Sequence, residues 1–410
     1  MSPQFRSPNS PRVLHPREVS MFSPRRIAGG LATALAVAAL ATLFARPAQP
    51  SGGEFTESLS LEGRRLRIHN LIGEFTVGPT EGSRFEVEIR VQGKDATRER
   101  IRLETKRGEG SEVSILFPLE ESTRYVYPRL GTGSRSTFMA NRRKSGEQDS
   151  WWKALVGTLK VSKIEVSGDG KGLEIWADVT VKVPRGGILE VDHGVGGIDA
   201  AGVEGELRLD NATGNITAQD IHGRLSADTG SGNIRASGIT GGFDADTGSG
   251  DVTVQDIRGD VHADTGSGDV SITDAQGDEI LADTGSGEVT VLGARCKLLA
   301  VDTGSGDVEA RNISAEEANL DTGSGKVQLR LLHMGPGPFV IDTGSGDIDL
   351  VMPADGSAQV RAETGSGAIH VDFENEKVHR VARDEISFTV GEGTSSVRLE
   401  AGSGTIRISG

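Results

Sequence analysis

From about residue 190 onward, apolar and polar positions alternate in short runs that return at a nearly fixed interval. Around Leu225 the apolar positions are Leu225 and Ala227, with polar Ser226 and Asp228 between and after them. Beyond Thr-Gly-Ser-Gly the alternation resumes, with Ile234 and Ala236 flanking Arg235. A period of two predicts a strand with one face buried. Each unit opens on an acid: Asp192, Asp210, Asp228, Asp246, Asp264, Asp283, Asp302, Asp321, Asp342, Glu363 and Glu400. The sixth residue after each acid is always Ile or Val, from Ile198 to Ile406. The step is 18 residues at first and stretches to 21, and the last step is roughly double, which predicts a final coil that has lost its signature.

A repeat of this length, with same-sense strands joined by short crossovers, predicts parallel stacking in a solenoid. The expected fold is all-β: a single-stranded parallel β-helix-like solenoid of about 18–21 residues per coil. About eleven coils at roughly 4.8 Å each would make a rod of around 50 Å. Several coils also carry an Ile with Gly two residues later, such as Ile221/Gly223 and Ile257/Gly259, which predicts a second corner.

The motif between the strands, DTGSG, occurs seven times, starting at Asp228, Asp246, Asp264, Asp283, Asp302, Asp321 and Asp342. Asp-Thr-Gly-Ser also surrounds the catalytic carboxylate of aspartic peptidases, but such an enzyme needs two carboxylates brought together from two lobes. Seven copies at coil spacing instead predict an architectural corner. Gly230, Gly232, Gly248, Gly250, Gly266 and Gly268 would permit φ > 0 there. The Asp and Thr side chains would hydrogen-bond backbone groups of the turn. Stacked aspartates also repel by about 1 kcal/mol per neighbour in water. The seven motif aspartates are therefore candidate ligands for a hard cation such as Ca²⁺. Against an ion ladder, Lys326 occupies one of the slots after the corner, and the nine-residue calcium β-roll consensus is absent.

Composition removes other classes. Net charge is −15, which argues against nucleic acid as a partner. One cysteine, Cys296, excludes an intramolecular disulfide or a cysteine-based zinc site, and the eight histidines have no metalloenzyme spacing. Aromatic residues make up only 4%, few for the sugar platforms of a polysaccharide-active β-helix, the rival enzymatic reading.

Residues 1–24 form an N-terminal tail, followed at 25–46 by an apolar segment. Its core, residues 27–45, is uncharged and preceded by Arg25-Arg26. It reads either as a transmembrane helix with the N-terminus inside or as a cleaved signal peptide. Both place the chain beyond residue 46 outside the cytoplasm, in the periplasm or at the cell surface. Residues 47–53 read as a linker, 54–186 as an irregular β cap, and 187–410 as the solenoid. A polar insert at about 120–157 holds Tyr125, Tyr127, Trp151-Trp152 and the basic run at 141–144, and reads as a loop or a contact patch. The chain stops on a coil strand, which leaves an open edge and raises head-to-tail self-association as an expectation.

The strand ADVTVKVPRGG (Ala177–Gly187) leading into reiterated ADTGSGDV units is similar to the bacterial putative-adhesin β-strand-repeat family, over about residues 54–410. That resemblance implies a cell-envelope β-solenoid with no known catalytic residues. The expected function is a non-enzymatic envelope scaffold or adhesin-like protein with a repetitive acidic face, meeting an envelope polymer or protein. A calcium-binding envelope rod is the alternative.

Overall fold

In a computed structural model, residues 53–108, 110–139, 163–373, 377–382 and 384–410 are described. They contain many β-strands and one short 3₁₀ turn at Pro128–Leu130. The apolar segment at 25–46 and the basic and Trp-Trp runs of the insert lie outside the described residues. Among the described residues no helix is long and apolar enough to cross a membrane.

Each coil has a leading strand that carries the acid and a trailing strand that carries the β-branched residue. Leading strands stack in parallel with matching residues in register: Asp210 on Asp228, Asp228 on Asp246, Asp246 on Asp264. Trailing strands do the same, with Ile216 on Ile234 and Ile234 on Val252. A third, shorter side carries Ile239 on Ile257 and Ile257 on Ala275. Leu225, Ala227, Ile234, Ala236 and Ile239 all turn inward and are buried, so five apolar columns on three sides fill the lumen. Complete burial of an Ile or Leu side chain contributes about 1.5–3 kcal/mol, so stability accumulates coil by coil.

The turn onto the third side has its own column of left-handed residues: Gly202, Asp220, Gly238, Asp256, Asp274, Gly293 and Asn312, all with φ between 53° and 72°. Asp and Asn are the side chains that tolerate this conformation best after glycine.

Two boundaries differ from expectation. The first coil is Arg65–Ile72 with Phe75–Thr80, in register with Gly187–Val195 and Ile198–Ala201, so residues assigned to the cap belong to the solenoid. Its acid slot holds His69 opposite Asp192, which hid it from a search for acids. The chain then leaves the coil after Thr80 and returns at Gly187. Within that excursion, Trp176–Pro184 extends the trailing ladder beyond Phe75–Thr80 and Phe85–Gln92 follows antiparallel, with the preceding strand Phe55–Leu61 antiparallel on the latter. Ser111–Leu116 extends the leading ladder, with Arg102–Arg107 antiparallel on it.

The described strands of the insert, Arg124–Val126 and Arg135–Met139, form a small sheet with Lys163–Ser167, which follows the insert. Tyr125 and Tyr127 are buried in it, so they do not belong to an exposed contact patch. Tyr125 meets Phe117 edge-on, and the Tyr127 hydroxyl donates to Glu74 at 2.5 Å.

At the other end, spatial order departs from chain order. Leading strand Pro338–Ser345 stacks on Ser395–Ser403, and Ala358–Ser366 lies beyond it. Trailing strand Ile406–Ser409 sits between Ile348–Val351 and Ile369–Asp372. The final strand of the chain is therefore an interior rung, and among the described residues the outer trailing strand at this end is Ile369–Asp372, paired on one side only. The long step between Glu363 and Glu400 holds no coil with a lost signature. It holds the antiparallel pair Lys377–Val381 and Glu385–Val390, the latter lying antiparallel on Ala358–Ser366.

Candidate functional site

The corner comes first, because it positions the acids. Asp228 and Thr229 end a strand, so the threonine side chain points into the lumen and the aspartate points out. Each Thr hydroxyl donates to a glycine carbonyl one coil back: Thr229 to Gly214 at 3.1 Å, Thr247 to Gly232 at 3.0 Å and Thr265 to Gly250 at 2.9 Å. The ladder continues with Thr284, Thr303, Thr322 and Thr343. In earlier coils the same slot holds Asn211, which donates to Gly196 at 2.8 Å, and His193, whose Nε2 lies 2.8 Å from the Gly73 carbonyl. Complete burial lowers the His193 pKa to about 4, so the ring is neutral near pH 7.

The bonds expected of Thr and Asp are not the whole brace: the residue after the corner adds a ladder, its carboxylate or amide oxygen accepting the N–H of the matching residue one coil on. Asn215 Oδ1 accepts from Asn233 at 2.9 Å, Asn233 Oδ1 from Asp251 at 3.0 Å, and Asp269 Oδ1 from Glu288 at 2.9 Å. Lys326 fits this ladder because it contributes only its N–H, to Asp307 at 2.8 Å.

Nor do the six corner glycines act mainly through φ. Gly232 alone among them has a positive φ, of 155°. All six are needed because coils stack directly upon them. A Cβ on Gly248 or Gly266 would lie 2.6 Å from a carbonyl oxygen one coil back, and on Gly250 or Gly268 2.1 Å. For Gly230 and Gly232 the distances are 2.7 and 2.1 Å.

With the corner fixed, the seven motif aspartates form one outward column along the leading-strand ladder. His69, Asp192 and Asp210 precede it, and Glu400 and Glu363 complete it. The companion outward position, two residues before each acid, differs along the ladder. At the ends it is basic: Arg67 and Arg208 beside Glu190, and Arg398 and Arg361 paired with Glu400 and Glu363. Across the seven DTGSG coils it is Ser226, Asp244, His262, Leu281, Ala300, Asn319 and Val340, with no Lys or Arg. There a groove of about 550 Å³ opens, its floor set by Asp246, Asp264, Asp283, Asp302 and Asp321.

Electrostatics follow from this arrangement. Asp264 is held above the ordinary carboxylate range by partial burial and by Asp246 and Asp283. Asp283 and Asp321 are raised in the same way, by partial burial and by their aspartate neighbours. Asp342 is raised by burial and by Glu400. His262, on the groove wall, has Nδ1 3.1 Å from Asp244, which Arg224 also contacts. Among the described residues no group of three or more His, Cys, Asp or Glu side chains converges to hold a metal ion. The carboxylates lie one per coil rather than around a point.

Residues 240–409 match the family model described as Toastrack DUF4097. The Toastrack match takes in the coils from Phe243 onward, including the C-terminal rung that lies out of chain order. No curated protein matches the chain. Two solved structures are similar along most of its length. One, from Clostridium sporogenes ATCC 15579, is described as a "putative cell adhesion protein"; it is 11% identical over 87% of this chain and 99% of its own, with a TM-score of 0.15. The other, a "putative adhesin" from Bacteroides fragilis NCTC 9343, is 11% identical over 88% and 99%, with a TM-score of 0.22.

Proposed function

We propose that the chain is a non-enzymatic, adhesin-like module of the cell envelope whose working surface is the acidic groove on its leading-strand face, and that its ligand is cationic. The observation that carries this reading is the run of stacked carboxylates across seven coils with no Lys or Arg at the companion position, between ends where arginines neutralise the same column. Partial burial, and after it the like charges held in register, raise the pKa of Asp264, Asp283 and Asp321. A ligand bearing several amino groups relieves that repulsion, whereas a neutral glycan does not. The export-type segment at 27–45 supports an extracytoplasmic location.

The test is binding of oligolysine at low and moderate ionic strength. The intact protein should bind it with an affinity that falls steeply with salt. Replacing Asp246, Asp264, Asp283 and Asp302 together by Asn should weaken binding at least about tenfold, the effect of roughly 1.4 kcal/mol. Equal binding by that variant would sink the proposal. Calcium provides the second arm: a melt that rises by many degrees with calcium and falls with chelator would favour the calcium-binding rod.

A further inference from the structure

The last sixteen residues, 395–410, fill a rung between two rungs that are consecutive in the chain. Those flanking rungs also fit each other. Asp342 and Glu363 are 21 residues apart, the same step as from Asp321 to Asp342, and that pair is directly stacked. The connection between Val351 and Ala358 is therefore as long as one direct coil-to-coil step requires, although it now passes over an extra rung. The inner faces match as well: Phe339 and Ile341 on one leading strand, Val360 and Ala362 on the other, all buried.

The threonine ladder adds an independent sign. Thr364 donates to the Gly404 carbonyl of the inserted rung at 3.0 Å. The inserted rung itself has Ala401 in the threonine slot, so it makes no such bond to Gly346, one coil back. Stacked directly on the preceding coil, Thr364 would meet Gly346 in the geometry that Thr343 has with Gly325. Insertion buries Val397, Leu399, Ile406 and Ile408 and adds a charged contact, since Arg407 reaches Asp347 at 3.0 Å and Asp349 at 3.2 Å. The Thr405 N–H that donates to Asp347 Oδ1 at 2.8 Å has a counterpart in Ala368, but the displaced rung has His370 where the inserted one has Arg407.

We propose that the C-terminal end of the solenoid is a two-state insertion device, in which residues 395–410 wedge between a pair of rungs that otherwise close directly on one another. The closed state uses only segments made earlier in synthesis, so it is available before the final strand emerges. Insertion then lengthens the solenoid by one coil and moves the antiparallel cap outward with the rung it covers.

Thiol crosslinking in the full chain, with Cys296→Ala as background, distinguishes the states. Val340 is register partner of Arg398 in the inserted state, and would be partner of Arg361 in the closed one. Two rungs apart is too far for a disulfide, which needs Cα atoms within about 7 Å. The unaltered pairing should link Val340→Cys to Arg398→Cys and leave Val340→Cys/Arg361→Cys unlinked. Adding Arg407→Glu, which sets a carboxylate against Asp347 and Asp349, should raise the 340–361 link at least tenfold. Protease should then remove residues 395–410 while the remaining solenoid resists. Thr405→Pro, which deletes the N–H given to Asp347, should act in the same direction. If neither variant yields the 340–361 link, the proposal is overturned, whether the inserted pairing persists or the end rungs simply come apart.

Discussion

A threonine that repeats through the seven DTGSG coils makes the same bond in each of them, and its contribution can be measured one residue at a time. Thr265→Val keeps shape and burial but removes the donor to Gly250, and should cost about 1–2 kcal/mol in thermal or urea unfolding. His193 occupies this slot as a neutral ring with a pKa near 4, below the usual histidine value of 6.5. The unfolded chain therefore takes up a proton that the folded one refuses. Its contribution is complete above about pH 6.5 and is lost as pH falls towards 4, by roughly 3 kcal/mol. His193→Asn, copying Asn211 in the next coil, should flatten that region of a Tm-versus-pH curve. The column aspartates have the opposite sign. Their raised pKa means that the folded state holds protons more tightly, so their penalty grows as pH rises from the ordinary carboxylate value through the raised one. Asp283→Asn should consequently stabilise the protein at neutral pH, by up to about 1 kcal/mol, as judged by urea midpoint.

At the scale of the strand and corner, the alternation of period two identified the leading and trailing strands and the placement of their apolar columns. It did so because one face of each is wholly buried. The corner was located but its chemistry was not. Glycine is required there by the coil beneath, a long-range contact that a single repeat cannot reveal. Gly268→Ala should thus cost at least about 3 kcal/mol or disrupt the neighbouring coils, since the obstructing Gly250 oxygen belongs to backbone and has nowhere to move. Gly242→Ala is the contrast: the nearest atom to its Cβ is 3.7 Å away on the Arg224 side chain, so the change should be neutral or stabilise by about 0.5 kcal/mol. The left-handed column from Gly202 to Asn312 was missed because its identity varies among Gly, Asp and Asn while its conformation does not.

For the whole molecule, periodicity showed that coils repeat but not who neighbours whom. Equivalent repeats present equivalent edges, so sequence spacing alone cannot reveal that residues 395–410 stack inside residues 358–372. The first coil escaped for a related reason: His69 and Asn70 do the work of Asp and Thr with different chemistry. The acidic groove was legible as a list of aspartates. Its limits were not, because they depend on which arginines lie beside the column at each end. Charge in register along a ladder also has a collective signature: raising salt from about 10 to 300 mM should increase the melting temperature, because screening acts over roughly a Debye length of 10 Å at 0.1 M.

Apart from compensating register shifts between Ala310 and Ser314, changes of coil length are confined to one side of the cross-section. From acid to β-branched residue the count is six in every coil, yet Gln276 pairs 18 residues back while Ile280 pairs 19 back. Met334 pairs 19 back and Phe339 pairs 21 back. The long excursion between Thr80 and Gly187, and the antiparallel pair before Ser395, depart from this same place, where a trailing strand hands over to the next leading one. The solenoid has a closed seam at Thr-Gly-Ser-Gly and an open one opposite, and new sequence enters only through the latter. A foreign peptide grafted between Gly277 and Asp278 should therefore be displayed without loss of folding, on a scaffold whose acidic column keeps its register.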